Sequence, residues 1–172
     1  MTRSAALERS QQYFSNGDFL HELAERVGVR TESPDPERRD DLYHYLNHVL
    51  TPALDAIGFS CQVFENPHPA GCPFLVAHRH EADGLPTVMS YGHGDVVLGY
   101  DDQWRDGLSP WDIVVEGDRW YGRGTADNKA QHLINMQAMK TVLEARGKLG
   151  FNTKFMIEMG EENGSKGLRE LI

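Results

Sequence analysis

Apolar residues at helical spacing dominate the first third of the chain. They recur from Ala5 to about Val27, where Asn16-Gly17-Asp18 divides the pattern into two predicted helices and Asp18 is expected to cap the second. The same spacing returns from Glu37 to Ile57 and stops at Gly58. This pattern predicts two short helices followed by one long helix.

Short apolar runs bounded by proline and glycine follow, as is typical of strands. In chain order, the predicted strands are Phe59–Phe64, Phe74–Ala77, Thr87–Tyr91 and Asn152–Met159, with a hairpin over Asp112–Tyr121. A further helix is predicted from Asn128 to about Ala145, and another starts at Ser165. This alternation indicates an α/β fold, and the length of 172 residues suits one domain.

Composition and charge narrow the classes of function. The 17 basic and 26 acidic residues give a net charge of −9, which argues against a nucleic-acid or anionic-membrane surface. The N-terminus lacks the apolar core of a signal peptide, and no stretch approaches transmembrane length. Cys61 and Cys72 form neither a disulfide framework nor a paired zinc motif. We therefore expect a cytoplasmic protein that binds neither nucleic acid nor membrane.

Candidate chemistry is concentrated around Asp127, in the stretch that leads into the predicted helix. Glycines on both sides of Arg123 indicate backbone angles or close approaches that larger residues would not tolerate. Asp127 could simply cap the helix. Asn128 can take that position instead, because Gln131 follows it at the spacing of a capping box. Asp127 is then available for another role.

Two further clusters follow predicted strands. One contains His93 and Asp95, and the other contains Glu161 and Glu162. If the three strands are neighbours in one sheet, their ends bring these residues and Asp127 to a common edge, where α/β active sites lie. One imidazole and several carboxylates suit zinc, or less selectively manganese and cobalt.

The residues of these clusters can take different roles in a metal site. His93 can bind a metal while Asp95 fixes its tautomer, and Asp127 can bridge two cations. Of Glu161 and Glu162, one can bind metal while the other takes a proton from water. Simpler explanations remain open, because a lone histidine is more often a satisfied buried residue and an acidic pair before a turn is more often solvated.

Taken in order, three motifs resemble the dinuclear-zinc peptidase and deacylase family. They are His93-x-Asp95-Val96-Val97, the run Gly122–Lys129, and Glu161-Glu162-Asn163-Gly164-Ser165. That family includes glutamate carboxypeptidase, aminoacylase, acetylornithine deacetylase, succinyl-diaminopimelate desuccinylase and the carnosine-type dipeptidases, and the tail after Gly164 is most similar to the dipeptidases. The resemblance implies the N-terminal portion of a zinc-peptidase-like catalytic domain over residues 1–172, with a mixed β-sheet flanked by helices.

The resemblance also implies site roles. His93 and Glu162 each bind one of two Zn²⁺ ions, which Mn²⁺ or Co²⁺ can replace, and Asp127 bridges the ions. Asp95 orients His93, and Glu161 is the general base. The substrates implied are small peptides or N-acyl amino acids.

The resemblance further implies a cis peptide bond between Asp127 and Asn128. Family members usually have a larger residue at Gly94 and often a glycine at Ala130, but neither difference removes a functional group. They also continue with another metal-binding carboxylate, an inserted lid domain that allows homodimers, and a late histidine ligand. The 172 residues lack these parts.

We therefore expect a metal-dependent hydrolase of the dipeptidase, carboxypeptidase or deacylase type, with the 172-residue chain inactive alone. The alternative is a truncated non-catalytic module that binds metal weakly or acts as an interaction or folding unit. A nucleotide-binding domain has only the Gly92-x-Gly94 pair in its favour, and Val97 stands where a third glycine is required.

Overall fold

The computed structural model describes residues 3–171 and has a mixed α/β fold, as predicted. Its first helices are α1 (Arg3–Ser15) and α2 (Asp18–Val27), which separate where the sequence predicts. Gly17, with φ of 87°, precedes α2, and no side-chain cap is formed among the described residues. The predicted cap at Asp18 is therefore wrong: Asp18 lies in the first helical turn, where a negative charge is favourable.

The helix predicted from Glu37 to Ile57 is one helical run whose pitch changes along its length. Its segments are a 3-10 turn (Pro36–Arg38), α3 (Arg39–His44), a π-helical segment (Tyr45–Leu50) and α4 (Thr51–Asp55). Gly58, with φ of 82°, follows the end of the run, as predicted. His44 and His48 lie on its exposed face.

The strands of residues 3–171 form two sheets. The main sheet contains β1 (Ser60–Phe64), β2 (Phe74–Arg79), β3 (Thr87–His93) and β6 (Asn152–Glu158) in the order β1-β2-β6-β3. β3 pairs with β6 in parallel and the other neighbours are antiparallel, so the sheet is mixed, as predicted. The predicted hairpin, β4 (Val114–Glu116) and β5 (Arg119–Tyr121), forms a sheet of its own.

One apolar core joins the main sheet to the helical run and to α5 (Lys129–Arg146). Phe155 and Ile157 of β6 are fully buried in this core, together with Leu46 and Leu50 of the π-helical segment. A smaller cluster packs α2 against the first turns of α5. Within residues 3–171, no helix has both the length and the apolar character needed to cross a membrane.

The parallel pairing of β3 with β6 determines where the candidate residues lie. His93 and Glu158 are partners at the ends of these strands, so residues 94–97 and 159–165 leave the sheet at the same edge. Asp127 does not follow a neighbouring strand of that sheet, because β5 belongs to the separate hairpin. The condition that all three strands are neighbours in one sheet is therefore not met, and Asp127 reaches the edge from the loop before α5.

The last predicted helix begins later than expected. Ser165 has φ of 48° and belongs to a turn, whereas α6 spans Leu168–Leu171. A left-handed backbone cannot continue into a right-handed helix, so the helix starts only after Gly167, which also has a positive φ.

Candidate metal centre

The centre of the candidate site is His93, a buried histidine at the end of β3. Its Nε2 lies 3.1 Å from Asp127 Oδ1 and 3.8 Å from Glu161 Oε2. One potential ligand atom from each of His93, Glu161 and Glu162 falls within a group whose members are all within 4.8 Å of one another. The three clusters singled out in the sequence therefore meet at one place.

Asp95 holds the two sides of this site together. It is fully buried, and His93 Nδ1 lies 3.1 Å from its backbone carbonyl oxygen, with which it forms a hydrogen bond, and 3.3 Å from its Oδ1. Its Oδ1 also accepts a hydrogen bond from the Glu161 backbone N–H at 3.2 Å, while Oδ2 accepts one from that of Glu162 at 3.1 Å. The hydroxyl of Ser33 donates to Oδ2 at 2.6 Å. Sequence reasoning linked Asp95 to His93 but missed Ser33, which carries no motif.

The turn that bears both glutamates is closed by local hydrogen bonds. It is a 3-10 turn, Glu161–Asn163, and the Ser165 N–H donates to the Gly160 carbonyl at 2.8 Å. Ser165 Oγ also donates to Glu158 Oε1 at 3.0 Å, and the Tyr91 hydroxyl donates to the same oxygen. Burial raises the pKa of the Glu158 carboxyl. Glu158 had no predicted role, yet it links β3, β6 and this turn.

The peptide bond between Asp127 and Asn128 is cis, as the resemblance implied. Asn128 occupies the N-cap position of α5, as predicted, but its side chain makes no capping hydrogen bond: its Oδ1 accepts a hydrogen bond from the His93 backbone N–H at 3.4 Å. Gln131 donates from its side chain to the Ala126 carbonyl at 3.2 Å. The predicted capping box is therefore wrong, because the Asn128 side chain bonds to His93 and the Gln131 side chain bonds to Ala126. The Asp127 side chain is 72% exposed and remains available to a ligand.

A buried lysine, Lys129, fixes the start of α5. Its Nζ donates to the carbonyls of Arg26 and Val29 at 2.8 and 2.7 Å, which are at and just beyond the end of α2. Burial lowers the pKa of Lys129 to about 7, although Asp95 and Glu32 act in the opposite direction. Lys129 belongs to the quoted motif, but only the fold shows this anchoring contact.

The electrostatics of the site favour positive charge on the His93 ring. Burial by itself lowers the pKa of His93, but hydrogen bonds and charges from Asp95, Asp127 and Glu161 outweigh it and raise the pKa to about 9. Burial and the charge of Asp127 raise the pKa of Glu162. A cation placed among these carboxylates would reduce their mutual repulsion.

The residues present fit a divalent metal ion. They combine an imidazole nitrogen with carboxylate oxygens, a donor set that suits zinc. His93 has its second ring nitrogen held by Asp95, as ligating histidines usually do. Both ring nitrogens of His93 have hydrogen-bond partners, Asp95 at Nδ1 and Asp127 at Nε2, so the simpler prediction of a satisfied buried histidine also describes this residue.

Packing explains why Gly94 stands where family members usually have a larger residue. A Cβ atom there would lie 2.7 Å from Met159 Sδ and 2.7 Å from Tyr45 Cε1, both closer than real contacts. Met159 and Tyr45 are fully buried. In this chain their side chains fill the space beside the backbone of the metal centre.

Comparison with known proteins shows which sequences and folds this chain resembles. The sequence profile of peptidase family M20/M25/M40 matches residues 89–172. The Beta-Ala-His dipeptidase of Rattus norvegicus is 29% identical over 184 residues, covering 98% of this chain and 36% of the rat protein. The Cysteinylglycine-S-conjugate dipeptidase of Corynebacterium striatum is 28% identical, covering 90% of this chain and 33% of that protein.

The solved structures agree. Human carnosine dipeptidase 1 superposes with a TM-score of 0.83 and 29% sequence identity, over 96% of this chain and 37% of the human chain. The 172 residues thus span about a third of the length of these relatives. The shared sequence and fold confirm the resemblance: residues 89–172 match peptidase family M20/M25/M40, and nearly the whole chain aligns with dipeptidases.

Proposed function

We propose that this chain forms part of the catalytic domain of a metal-dependent hydrolase that cleaves peptide or N-acyl amide bonds. The observation that carries the proposal is the meeting of His93, Asp127, Glu161 and Glu162 at one sheet edge. The similar proteins named above are dipeptidases, which favours dipeptides over N-acyl amino acids as substrates. A cytoplasmic location and a homodimer remain predictions.

In this proposal, the side chains of His93, Asp127 and Glu162 would hold the metal ions. Zinc is the metal that this donor set suits best, with manganese and cobalt as replacements. The metal, when bound, supplies a Lewis acid that polarises the substrate carbonyl and lowers the pKa of the attacking water. Asp95 keeps the His93 ring in the orientation in which Nε2 faces the carboxylates.

Glu161 moves the proton. It takes one from the attacking water as the water oxygen bonds to the carbonyl carbon, and then delivers it to the amine nitrogen as the carbon–nitrogen bond breaks. Its side chain is 44% exposed, which leaves the carboxylate accessible to water and substrate. Its backbone N–H is held by Asp95, so the turn that carries it keeps a fixed position.

A non-catalytic module is the second candidate. Two exposed features favour the non-catalytic module. The Asp127 side chain in the candidate site is 72% exposed. On the edge strand β3, the side chains of Val88, Met89 and Tyr91 are 44%, 59% and 48% exposed. In this alternative the chain binds metal weakly or serves as an interaction or folding unit.

Zinc titration and dipeptide hydrolysis separate these candidates. The purified 172-residue chain, and a longer polypeptide that adds the rest of the family domain, are assayed with β-alanyl-histidine and cysteinylglycine. Zinc binding by both forms and turnover by at least the longer form would support the hydrolase. Absence of zinc binding and turnover from both would contradict it, whereas zinc binding without turnover by either would favour the module.

Asp95→Asn is expected to weaken zinc binding about 10–100-fold, the usual effect of losing a partner that orients a metal ligand. The backbone N–H groups of Glu161 and Glu162 donate to different oxygens of Asp95. Either orientation of an asparagine amide therefore places its NH₂ against an N–H donor. We also expect a loss of about 1–3 kcal/mol in the free energy of unfolding, measured with urea.

Asp101→Asn provides a matched control, because Asp101 lies in a surface turn and accepts hydrogen bonds only from Trp111 and Arg30 among the described residues. It should leave zinc affinity unchanged. Equal zinc affinity in the Asp95 variant and the unmodified chain would exclude the orienting role of Asp95.

A further inference from the structure

A loop formed by residues 66–72 lies against the 3-10 turn Glu161–Asn163, here called the glutamate turn. The loop lies between β1 and β2, and β2 pairs with β6, the strand that leads into the glutamate turn. Its last residue, Cys72, packs against Gly160: a Cβ atom at Gly160 would lie 3.3 Å from Cys72 Cβ. The loop therefore contacts the chain immediately before the two glutamates.

Asn66 closes this loop and reaches the chain on the other side of the glutamate turn. Its Nδ2 donates to the carbonyls of Cys72 and Lys166, both at 2.8 Å. Its Oδ1 accepts a hydrogen bond from the His68 backbone N–H, also at 2.8 Å. Because Lys166 follows the glutamate turn, the two glutamates lie between two points at which the loop holds the chain.

Two buried glycines make room for the Asn66 side chain. A Cβ atom at Gly71 would overlap Asn66 Cγ, and one at Gly167 would overlap Asn66 Oδ1. Any larger residue at either position would therefore displace the carboxamide. The side chain is enclosed between the loop and the segment that follows the glutamate turn, so its position is defined by packing as well as by hydrogen bonds.

We propose that Asn66 is a positioning residue that holds the glutamate turn at the distance from His93 that metal binding requires. This inference rests on the proposed hydrolase function. Potential ligand atoms of His93, Glu161 and Glu162 lie within 4.8 Å of one another. Metal–ligand distances tolerate deviations of only about 0.2 Å, so a small displacement of the turn lowers the affinity for the ion. Asp95 holds the turn from its buried side through two backbone N–H groups, and Asn66 holds the chain beyond it from the exposed side.

Asn66→Asp tests this role, because aspartate keeps the shape of the side chain and the acceptor for the His68 N–H but loses both donated hydrogen bonds. In the 172-residue chain it is expected to lower the zinc affinity about tenfold, measured by competition with a chromogenic chelator. It should also accelerate hydrogen exchange of the Glu161 and Glu162 backbone N–H groups about tenfold relative to that of Phe155, measured by NMR without metal. Phe155 is fully buried in β6 and serves as the reference for the stability of the whole sheet.

Asn152→Asp is the matched control, because Asn152 makes the same kind of contacts at the opposite end of β6. Its Nδ2 donates to the carbonyls of Ala82 and Leu85 at 3.0 and 3.3 Å, and its Oδ1 accepts a hydrogen bond from the Glu81 N–H at 2.6 Å. Asn152→Asp should lower the melting temperature but leave the zinc affinity and the exchange ratio unchanged. A purely structural role for Asn66 would make the two variants alike.

Three results would overturn the positioning role: an unchanged exchange ratio in Asn66→Asp, an equal rise in Asn152→Asp, or a raised ratio without loss of zinc affinity. An unmodified chain that binds no zinc would contradict the metal-hydrolase proposal, and the exchange ratio would still decide whether Asn66 fixes the glutamate turn. If Asn66→Asp does not fold, Asn66→Ala takes its place, since alanine removes the same donors without adding a charge.

Discussion

Replacing Glu161 with glutamine is expected to lower the rate of peptide hydrolysis by at least about 10²-fold, the usual share of a positioned acid–base group. Glutamine keeps the size of the side chain and the backbone N–H that bonds to Asp95, but it cannot accept the proton of the attacking water. Bound zinc should remain close to the unmodified level. The rate is measured as kcat for a dipeptide, with zinc per chain determined on the same sample.

The neighbouring variant Glu162→Gln distinguishes loss of the general base from loss of a metal ligand. Glu162 is proposed as a ligand, so its replacement should reduce zinc content and rate together. The contrast matters because both glutamates contribute an oxygen to the group of potential ligand atoms around His93. Loss of zinc in Glu161→Gln would make Glu161 a ligand and leave the base unassigned. The assay uses the shortest form of the protein that hydrolyses a dipeptide.

Replacing His93 with alanine is expected to weaken zinc binding by more than about 10²-fold, beyond the range for residues that only orient a ligand. His93 is the imidazole of the donor set, and the remaining potential ligands are carboxylates that repel one another. Competition with a chromogenic chelator measures the affinity, and far-ultraviolet circular dichroism checks that the variant is folded.

His48→Ala is the control for this experiment. His48 is exposed on the helical run, so it tests whether loss of any histidine lowers the zinc affinity. Unchanged affinity in His93→Ala would remove His93 from the metal centre. A loss shared by both variants would instead indicate zinc binding at surface histidines.

The elements of this fold could be predicted where their signal is local. Short apolar runs between proline and glycine turns defined β1, β2, β3 and β6, because both the runs and the turns that bound them are visible in a few consecutive residues. Apolar residues at helical spacing after Asp127 defined α5, because residues three or four apart lie on the same face of a helix. The predicted hairpin also formed, since its turn residues and strands lie close together in the chain.

Caps could not be predicted from the same local signals. Asp18 and Asn128 both have sequence contexts that favour capping, yet neither side chain caps its helix among the described residues. Asn128 bonds to His93, which is 35 residues away, and Gly17 takes the position before α2. Tertiary partners and backbone conformation competed with the local hydrogen bond, and the sequence contains no measure of that competition.

The sequence by itself determined the chemistry available to this protein: the imidazole of His93, the carboxylates near it in the motifs, and the family that the motifs resemble. Only the tertiary structure decided how they meet. The parallel pairing of β3 with β6 sets His93 beside the glutamate turn, Asp127 arrives from a separate loop, and Ser33 and Lys129 hold the surroundings in place. Such contacts join residues far apart in the chain, and they form because burial of the common core brings those residues together.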